Sequence, residues 1–464
     1  MNGKGKKMER PWLKFYEPHV PHSLEYPEVH FPKILDDAAD QFPGRAAVFF
    51  FGGKIQYGPL RAQANQFANA LKEIGFGKGD RLGLLLANMP QSIISAFGAM
   101  KAGGAAVFFD PLAGEEELQR QFNDAKVEIL VALDLILPRV DKIFSRTGLK
   151  QFIITGVKDF LPFPKDFLFS LAAKGRGMNV KVASKPNIKL FKEFLISGQP
   201  GSPAWEESPP DPKEVAAIQY TSGTSGPSKG VLLTHKNLMA NVLQVSAWIG
   251  SLEKGGETFL SVPAFHQAYG MTMGMNLPIY LAAMTIHLPR FETLQVLSAV
   301  KKHHPSFFPA LPSMIETLSS YPNAAEYKIS SIQNWWSMGA ALTEEVLQKF
   351  EQKTGRRVCE GYGLTEASPL THANPLNGKQ KAGSVGIPLP DTDARIVDPA
   401  SGEKEMPVGE AGELIVKGPQ VMKGYWNKPK ETAKVLRQGW LYTGDMARMD
   451  EDGYFYITGK IRKN

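Results

Sequence analysis

The run TSGTSGPSKG at 221–230 constrains this chain more than any other stretch. AAIQY at 216–220 has the length and apolar character of a strand leading into it, and a segment with Leu238, Val242, Val245 and Ile249 on one helical face follows shortly after. Glycines let backbone N–H groups turn toward an anion, the hydroxyls add donors, and Lys229 supplies a compact positive charge, a set that suits a polyphosphate. The spacing is not G-x-x-x-x-G-K-S/T, so a Walker P-loop is excluded. A solvated Ser/Gly linker is the bland alternative, and the flanking strand and helix argue against it.

The rest of the chain must supply a body for that loop. At 464 residues and ~150 per domain, about three domain-sized units are expected. With 43% apolar and 21% charged residues, the composition is that of a folded enzyme and excludes a disordered or collagenous chain. Cys359 is the one cysteine, which excludes a disulfide framework and a thiolate metal cluster and fits a reducing compartment. It reads as a buried structural thiol. The formal charge of +7 is mild over this length, and the basic residues carry no nucleic-acid fold motif, so a nucleic-acid partner is not expected. The basic opening MNGKGKKMER runs into Pro11 instead of an apolar core and is not read as a secretory signal. No ~20-residue apolar run occurs.

Leu60, Ala64, Phe67, Leu71 and Ile74 recur at three- and four-residue spacing, which predicts a helix ending near Gly75–Gly79. LGLLLA at 82–87, the helical segment after Pro90 and AAVFFD at 105–110 make a βαβ unit. Its uninterrupted apolar strands predict a parallel sheet covered on both faces. The pattern recurs around 215–262 and 296–342, and after about 383 short strand-like runs such as GELIVKG (412–418) and GYFYITG (453–459) predict a smaller β subregion. The Ser-Pro-rich stretch 198–214 reads as a linker between α/β halves.

Several motifs stand in a fixed order beyond the loop: FHQAYG (265–270), MGAAL (338–342), GYGLTEASP (361–369), GELIVKGPQVMKGYW (412–426) and GWLYTGDMARMDEDGYFYITGK (439–460). Together with the loop they resemble the adenylate-forming superfamily of acyl-CoA synthetases, luciferases and peptide-synthetase adenylation domains, from about residue 31 to the end. The resemblance implies an α/β fold: a large acyl-CoA-synthetase-like N-terminal domain of two parallel-sheet α/β subdomains plus a smaller β-barrel-like subdomain. The corresponding limits are an extension at 1–30, α/β subdomains at 31–210 and 211–385, a β subdomain at 386–456, and a hinge at 457–464.

It also implies a two-step reaction, in which a carboxylate attacks the α-phosphate of ATP and the thiol of coenzyme A then displaces AMP. Thr221, Ser222, Gly223, Thr224, Ser225, Gly226 and Lys229 would hold the β- and γ-phosphates. In the stretch Glu360, Gly361, Tyr362, Gly363, Tyr362 matches the residue against adenine; Thr365 matches the hydroxyl near the α-phosphate. Glu366 matches the carboxylate that holds Mg²⁺, with Thr221 as the other metal candidate; Mg²⁺ takes few protein ligands and favours a carboxylate plus phosphate oxygens. Gly339, Ala340 and Ala341 would pass between adenine and the acyl group, although core packing would also select small residues there. Asp445 matches the ribose ligand, and Lys460 stands where an arginine is usual. His266 matches a residue between nucleotide and acyl chamber; it is grouped with Lys229, Thr365 and Glu366 at the reaction centre but read as a pocket residue, since a carboxylate nucleophile needs no general base. Ser228 replaces the family's usual proline before the lysine, with Pro227 one place earlier.

Superfamily members continue into a small mobile C-terminal domain. This chain ends at GKIRKN, with Arg462 at the hinge position, so the resemblance implies a large domain alone, impaired in making adenylate. The Pro375–Lys379 string is a loop coincidence. The N-terminal segment and the Gly-, Ala- and Met-rich run 265–288 resemble long-chain fatty acid CoA ligases, with Gly270 where some carry an aromatic gate. Medium-chain or aromatic acids, and a non-catalytic nucleotide- or acyl-binding module, are the alternatives. Expected partners are therefore a fatty acid, ATP and coenzyme A, with a homodimer allowed for. Residues 160–192, basic and partly aromatic, suit contact with an anionic membrane from the cytoplasmic side, with a solvated insertion as the bland reading.

Overall fold

The computed structural model describes residues 10–167, 182, 185–201, 209–221 and 226–461. Helix Tyr57–Glu73 forms where predicted, with Leu60, Ala64, Phe67 and Leu71 fully buried. It stops where Gly75 takes a φ of +83°, which glycine adopts without a Cβ penalty. The next helix, Pro90–Lys101, starts on a proline whose missing N–H costs nothing in the first turn. Gly98 lets the two helices touch, since a Cβ there would lie 2.7 Å from Phe67 and 3.2 Å from the Ala64 carbonyl.

These helices lie in a core shared by two large sheets. One has eight strands, with a parallel body formed by Val215–Tyr220, Ala105–Phe108, Arg81–Leu85, Ile129–Leu133, Gln151–Thr155 and Ile188–Leu190. Leu82–Leu85 are buried throughout, as a strand covered on both faces requires. The other large sheet has nine strands. It is parallel from Ala46–Phe50 through Met284–His287, Thr258–Ser261, Phe307–Ala310, Asn334–Met338 and Val358–Gly363, and antiparallel at both ends. The expected β subregion is a curled antiparallel sheet of Asp393–Val397, Gly412–Lys417, Leu436–Arg437, Trp440–Met449 and Phe455–Lys460. The α/β class with a smaller β part therefore holds.

Three local expectations differ from the structure. Sheet membership crosses residue 210 in both directions: Ala46–Phe50 joins the nine-stranded sheet, while Val215–Tyr220 joins the eight-stranded one. Strand pairing across long loops, which periodicity does not report, decides this. The segment expected to be a hinge from 457 is strand as far as Lys460, because it pairs with Trp440–Met449. The helix expected shortly after the phosphate-loop candidate is present as His235–Ile249, but an unforeseen strand, Gly230–Thr234, comes before it and pairs antiparallel with Val215–Tyr220. Residues 202–208 of the linker stretch and Arg462 lie outside the described residues. Among the described residues, no helix is long and apolar enough to cross a membrane.

Candidate nucleotide site

At the neck of the loop, the Thr221 N–H donates to the Lys229 carbonyl at 3.0 Å, and the Lys229 N–H donates to Thr221 Oγ1 at 3.1 Å. One lone pair of the candidate metal-ligating hydroxyl is thus spent on closing the loop. Ser222, Gly223, Thr224 and Ser225 lie outside the described residues. Gly226 has a φ of +136° with nothing within 4 Å of a Cβ position, a conformation glycine accepts and other residues resist.

Lys229 extends over the ring of Tyr425, Nζ 4.7 Å from the centroid, and lies 3.8 Å from Glu431. The Tyr425 hydroxyl donates to Glu366 Oε1 at 2.7 Å. Burial, and then the Glu366 charge, push the Tyr425 pKa up, so the phenol keeps the proton it donates. Strand Gly424–Tyr425 pairs with Val231 and Leu232 just beyond the loop, and the Met422 N–H donates to the Glu366 carbonyl at 2.8 Å. One tyrosine therefore joins the lysine of the first motif to the glutamate of another. Thr365 opens the same short turn, Thr365–Ala367, and is half-buried.

A second cluster gathers the nucleoside-end candidates. The Tyr362 hydroxyl donates to Asp445 Oδ2 at 2.6 Å, and Lys460 Nζ lies 3.5 Å from Asp445 Oδ1. Asp445 and Lys460 are cross-strand neighbours in the small sheet. The irregularity before Asp445, inside strand Trp440–Met449, is fixed by the Gly444 N–H on Glu413 Oε1 at 3.0 Å and the Thr443 hydroxyl on the Leu414 carbonyl at 2.7 Å. Two carboxylate oxygens offer about four acceptor positions, so Asp445 keeps capacity for a diol beside Tyr362.

Gly339 has a φ of +112° and open space at its Cβ position, and Gly339, Ala340 and Ala341 are exposed. Tight core packing is thus not the reason for small residues there. Buried Glu360 accepts the Leu342 N–H at 2.9 Å, tying strand Val358–Gly363 to that turn; burial raises its pKa and the N–H opposes the rise. Glu360 therefore borders the site by holding its wall. Gly361 and Gly363 are small because strand Leu370–Ala373 is close: a Cβ on Gly363 would sit 2.0 Å from the Pro369 carbonyl.

His266 Nε2 lies 3.8 Å from Asp110 Oδ1 in a largely buried position. Burial lowers its pKa and Asp110 partly offsets that, leaving a neutral imidazole at neutral pH. Residues 268–279 beyond it are buried, around a π-helical turn at Thr272–Asn276. At Gly270 a Cβ would lie 2.1 Å from the Ala264 carbonyl, so an aromatic side chain cannot occupy that place in this backbone. Cys359 is buried, its pKa pushed up by burial, and its thiol lies 3.1 Å from the Asn374 carbonyl.

The donor set suits magnesium held mainly through a substrate. Among the described residues, no group of three or more His, Cys, Asp or Glu could hold a metal by itself. Glu366 offers one anchored carboxylate near a lysine that suits phosphate, which matches the few protein ligands Mg²⁺ takes.

Residues 35–426 match the model of a family described as AMP-binding enzyme. The chain belongs to the AMP-binding enzyme family. It is 43% identical over 452 residues to a long-chain-fatty-acid–CoA ligase of Bacillus subtilis (strain 168), covering 97% of this chain and 80% of that protein. The crystal structure of an anthranilate CoA ligase in complex with anthranoyl-AMP matches with a TM-score of 0.82 at 21% identity, covering 94% of this chain and 79% of that one. A long-chain-fatty-acid-CoA ligase from Archaeoglobus fulgidus matches with a TM-score of 0.80 at 22% identity, covering 96% and 87%. At those identities the two structures establish the fold.

For an AMP-binding enzyme the sequence reading missed one central residue, Tyr425. It stood in the quoted GYW motif without a role, because only the folded chain shows what lies on either side of its ring.

Proposed function

We infer that this chain activates a fatty acid with ATP to acyl-adenylate and passes the acyl group to coenzyme A. The observation that carries this reading is the Lys229–Tyr425–Glu366 contact at one end of the site and the Tyr362–Asp445–Lys460 contact at the other. Lys229 and the loop amides hold the β- and γ-phosphates, while Asp445 takes the ribose hydroxyls, with Lys460 beside it. Tyr362 and the open turn Gly339–Ala341 flank the base. A carboxylate is already ionised at neutral pH, so attack on the α-phosphorus requires placement more than proton removal. As the new P–O bond forms, the bond to pyrophosphate breaks, and Lys229 offsets charge on the departing group. Glu366 would hold magnesium, which would supply further charge neutralisation at the phosphates. Thr365 donates toward the α-phosphate, and neutral His266 lines the passage to the acyl chamber. In the second step the coenzyme A sulfur forms a bond to the acyl carbonyl and AMP leaves.

A long aliphatic chain is the substrate favoured by the likeness to the Bacillus subtilis relative, and the buried apolar residues Met271, Met273, Met275 and Phe259 beyond His266 suit one. Titration calorimetry with Mg-ATP checks the nucleotide reading: we expect binding by the intact chain and a loss of about tenfold or more in Lys229→Ala and in Asp445→Ala. No heat with the unmodified chain, or unchanged affinity in both variants, sinks it.

We further propose contact with the inner face of a membrane through residues 160–192. Phe163 and Phe167 are 85% and 60% exposed, and Lys165 Nζ reaches the Phe51 carbonyl at 3.0 Å, which places a third exposed phenylalanine beside them. Leu168, Phe169, Leu171, Lys174, Arg176 and Lys181 lie outside the described residues. Co-sedimentation with anionic vesicles should fall on Phe163→Ser plus Phe167→Ser; indifference to that change removes the idea.

A further inference from the structure

Ser228, which stands in place of proline beside the loop lysine, is 5% exposed, and every hydrogen-bonding position of its hydroxyl is filled by one helix. Its hydroxyl donates to Glu117 Oε1 at 2.7 Å and accepts from Arg120 Nη2 at 2.8 Å and Gln121 Nε2 at 3.0 Å. Arg120 Nη1 also reaches the Ser228 carbonyl at 3.2 Å. Glu117 in turn receives Gln121 Nε2 and Arg120 Nη2, each at 2.6 Å.

The same helix, Glu115–Ala125, holds the opposite stem of the loop. The Tyr220 hydroxyl lies 2.9 Å from Asp124 Oδ2 and 3.1 Å from the Gln121 carbonyl, its proton serving both. Asp124 reaches a third element: its Oδ1 takes Lys428 Nζ at 3.2 Å and its carbonyl takes Trp426 Nε1 at 2.7 Å, immediately after Tyr425. Glu117, Arg120, Gln121 and Asp124 are spaced i, i+3, i+4 and i+7, so a single helical face carries all four.

We propose that this face is a positioning platform for the triphosphate, acting through Ser228. A proline would stiffen the backbone before Lys229 by its own ring. Serine leaves that backbone freer and transfers its control to a separate element 108 residues away in the chain. Because the platform also grips Tyr220 and the segment after Tyr425, it holds the loop neck and the ring beneath Lys229 in one frame. The proposal deepens the nucleotide reading above and rests on it. Glu117, Arg120, Gln121 and Ser228 are positioning residues: they set where Lys229 meets the β- and γ-phosphates, and the AMP half of the site does not depend on them.

The test is calorimetry of Mg-ATP and, separately, of AMP on the full chain and on Ser228→Ala, Ser228→Thr and Lys229→Ala, with thermal melts of each. Ser228→Ala should weaken Mg-ATP about tenfold and leave AMP within about twofold, because only the triphosphate end is displaced. Ser228→Thr, which retains the hydroxyl, should recover most of the Mg-ATP affinity. A partially exposed variant, Arg120→Ala, should reproduce the Ser228→Ala pattern and guards against loss of fold at the buried serine. Equal weakening of both nucleotides, or none, overturns the platform. Unchanged Mg-ATP binding in Lys229→Ala overturns it too, by a different route: the phosphate reading itself then fails.

Discussion

Tyr425 does two things with one side chain. Its face carries the Lys229 ammonium, and its hydroxyl orients Glu366. Cation–π attraction contributes about 0.5–2 kcal/mol, and a hydrogen bond to a carboxylate about 1.5–3 kcal/mol, so neither contact dominates. The two are separable by substitution. Tyr425→Phe keeps the ring under Lys229 and frees Glu366; Tyr425→Ala removes both. Mg-ATP affinity should therefore fall in the order unmodified, Phe, Ala, with about a three- to tenfold loss at the first step. Equal affinities across the series would mean that the tyrosine positions neither group. At the same scale the sequence was most informative about chemical type. An acceptor-only carboxylate at Asp445 and a buried thiol at Cys359 follow from residue identity in context. The occupied Oε1 of Glu360 and the open flank of Gly339 do not, because both depend on which chain segment lies opposite.

Strands Val358–Gly363 and Leu370–Ala373 form a tight antiparallel return that brings Glu360, Tyr362 and Glu366 to one end of the nine-stranded sheet. Gly363 is the point of closest approach. Alanine there would push a methyl group into the Pro369 carbonyl, and we expect Gly363→Ala to destabilise the chain by about 2 kcal/mol or more, read as a lower denaturant midpoint at unchanged slope. At Gly361 the nearest atom is 3.0 Å from a Cβ position, so Gly361→Ala should cost less. Reversal of that order would locate the constraint elsewhere. Elements with strong periodicity, such as Tyr57–Glu73, were readable from the chain alone. Gly230–Thr234 was not, since five residues with a short apolar run fit equally well as the approach to a helix, and only pairing with Val215–Tyr220 makes them a strand.

At the scale of the whole molecule, His235, His287 and His372 are the most deeply buried histidines among the described residues, each in neutral form. The His235 Nδ1 accepts the Phe31 N–H at 3.1 Å, and burial pushes the pKa of His235, His287 and His372 each down to about 3. In the unfolded chain each returns to about 6.5. Below that value the unfolded state takes up protons that the folded state refuses, so stability falls with pH, by about 1.4 kcal/mol per unit for each histidine once well below it. Glu360 and Glu413, raised by burial, act in the opposite direction nearer their own range. The histidine effect should therefore stand out between about pH 6.5 and 5, as a falling melting temperature in a pH series. A flat melting temperature over that window would show that the three rings gain protons without unfolding.

Motif order and residue type, readable along the chain, were enough for an α/β body and for naming candidates for a triphosphate loop, a metal carboxylate and a ribose carboxylate. These are properties of a residue and its near neighbours, and periodicity and side-chain chemistry report them directly. Which sheet each strand enters, which ring lies beneath Lys229, and which helix grips Ser228 were settled by folding. Each depends on contacts between segments far apart in the chain, where many pairings satisfy the same local pattern and the shared apolar core selects one.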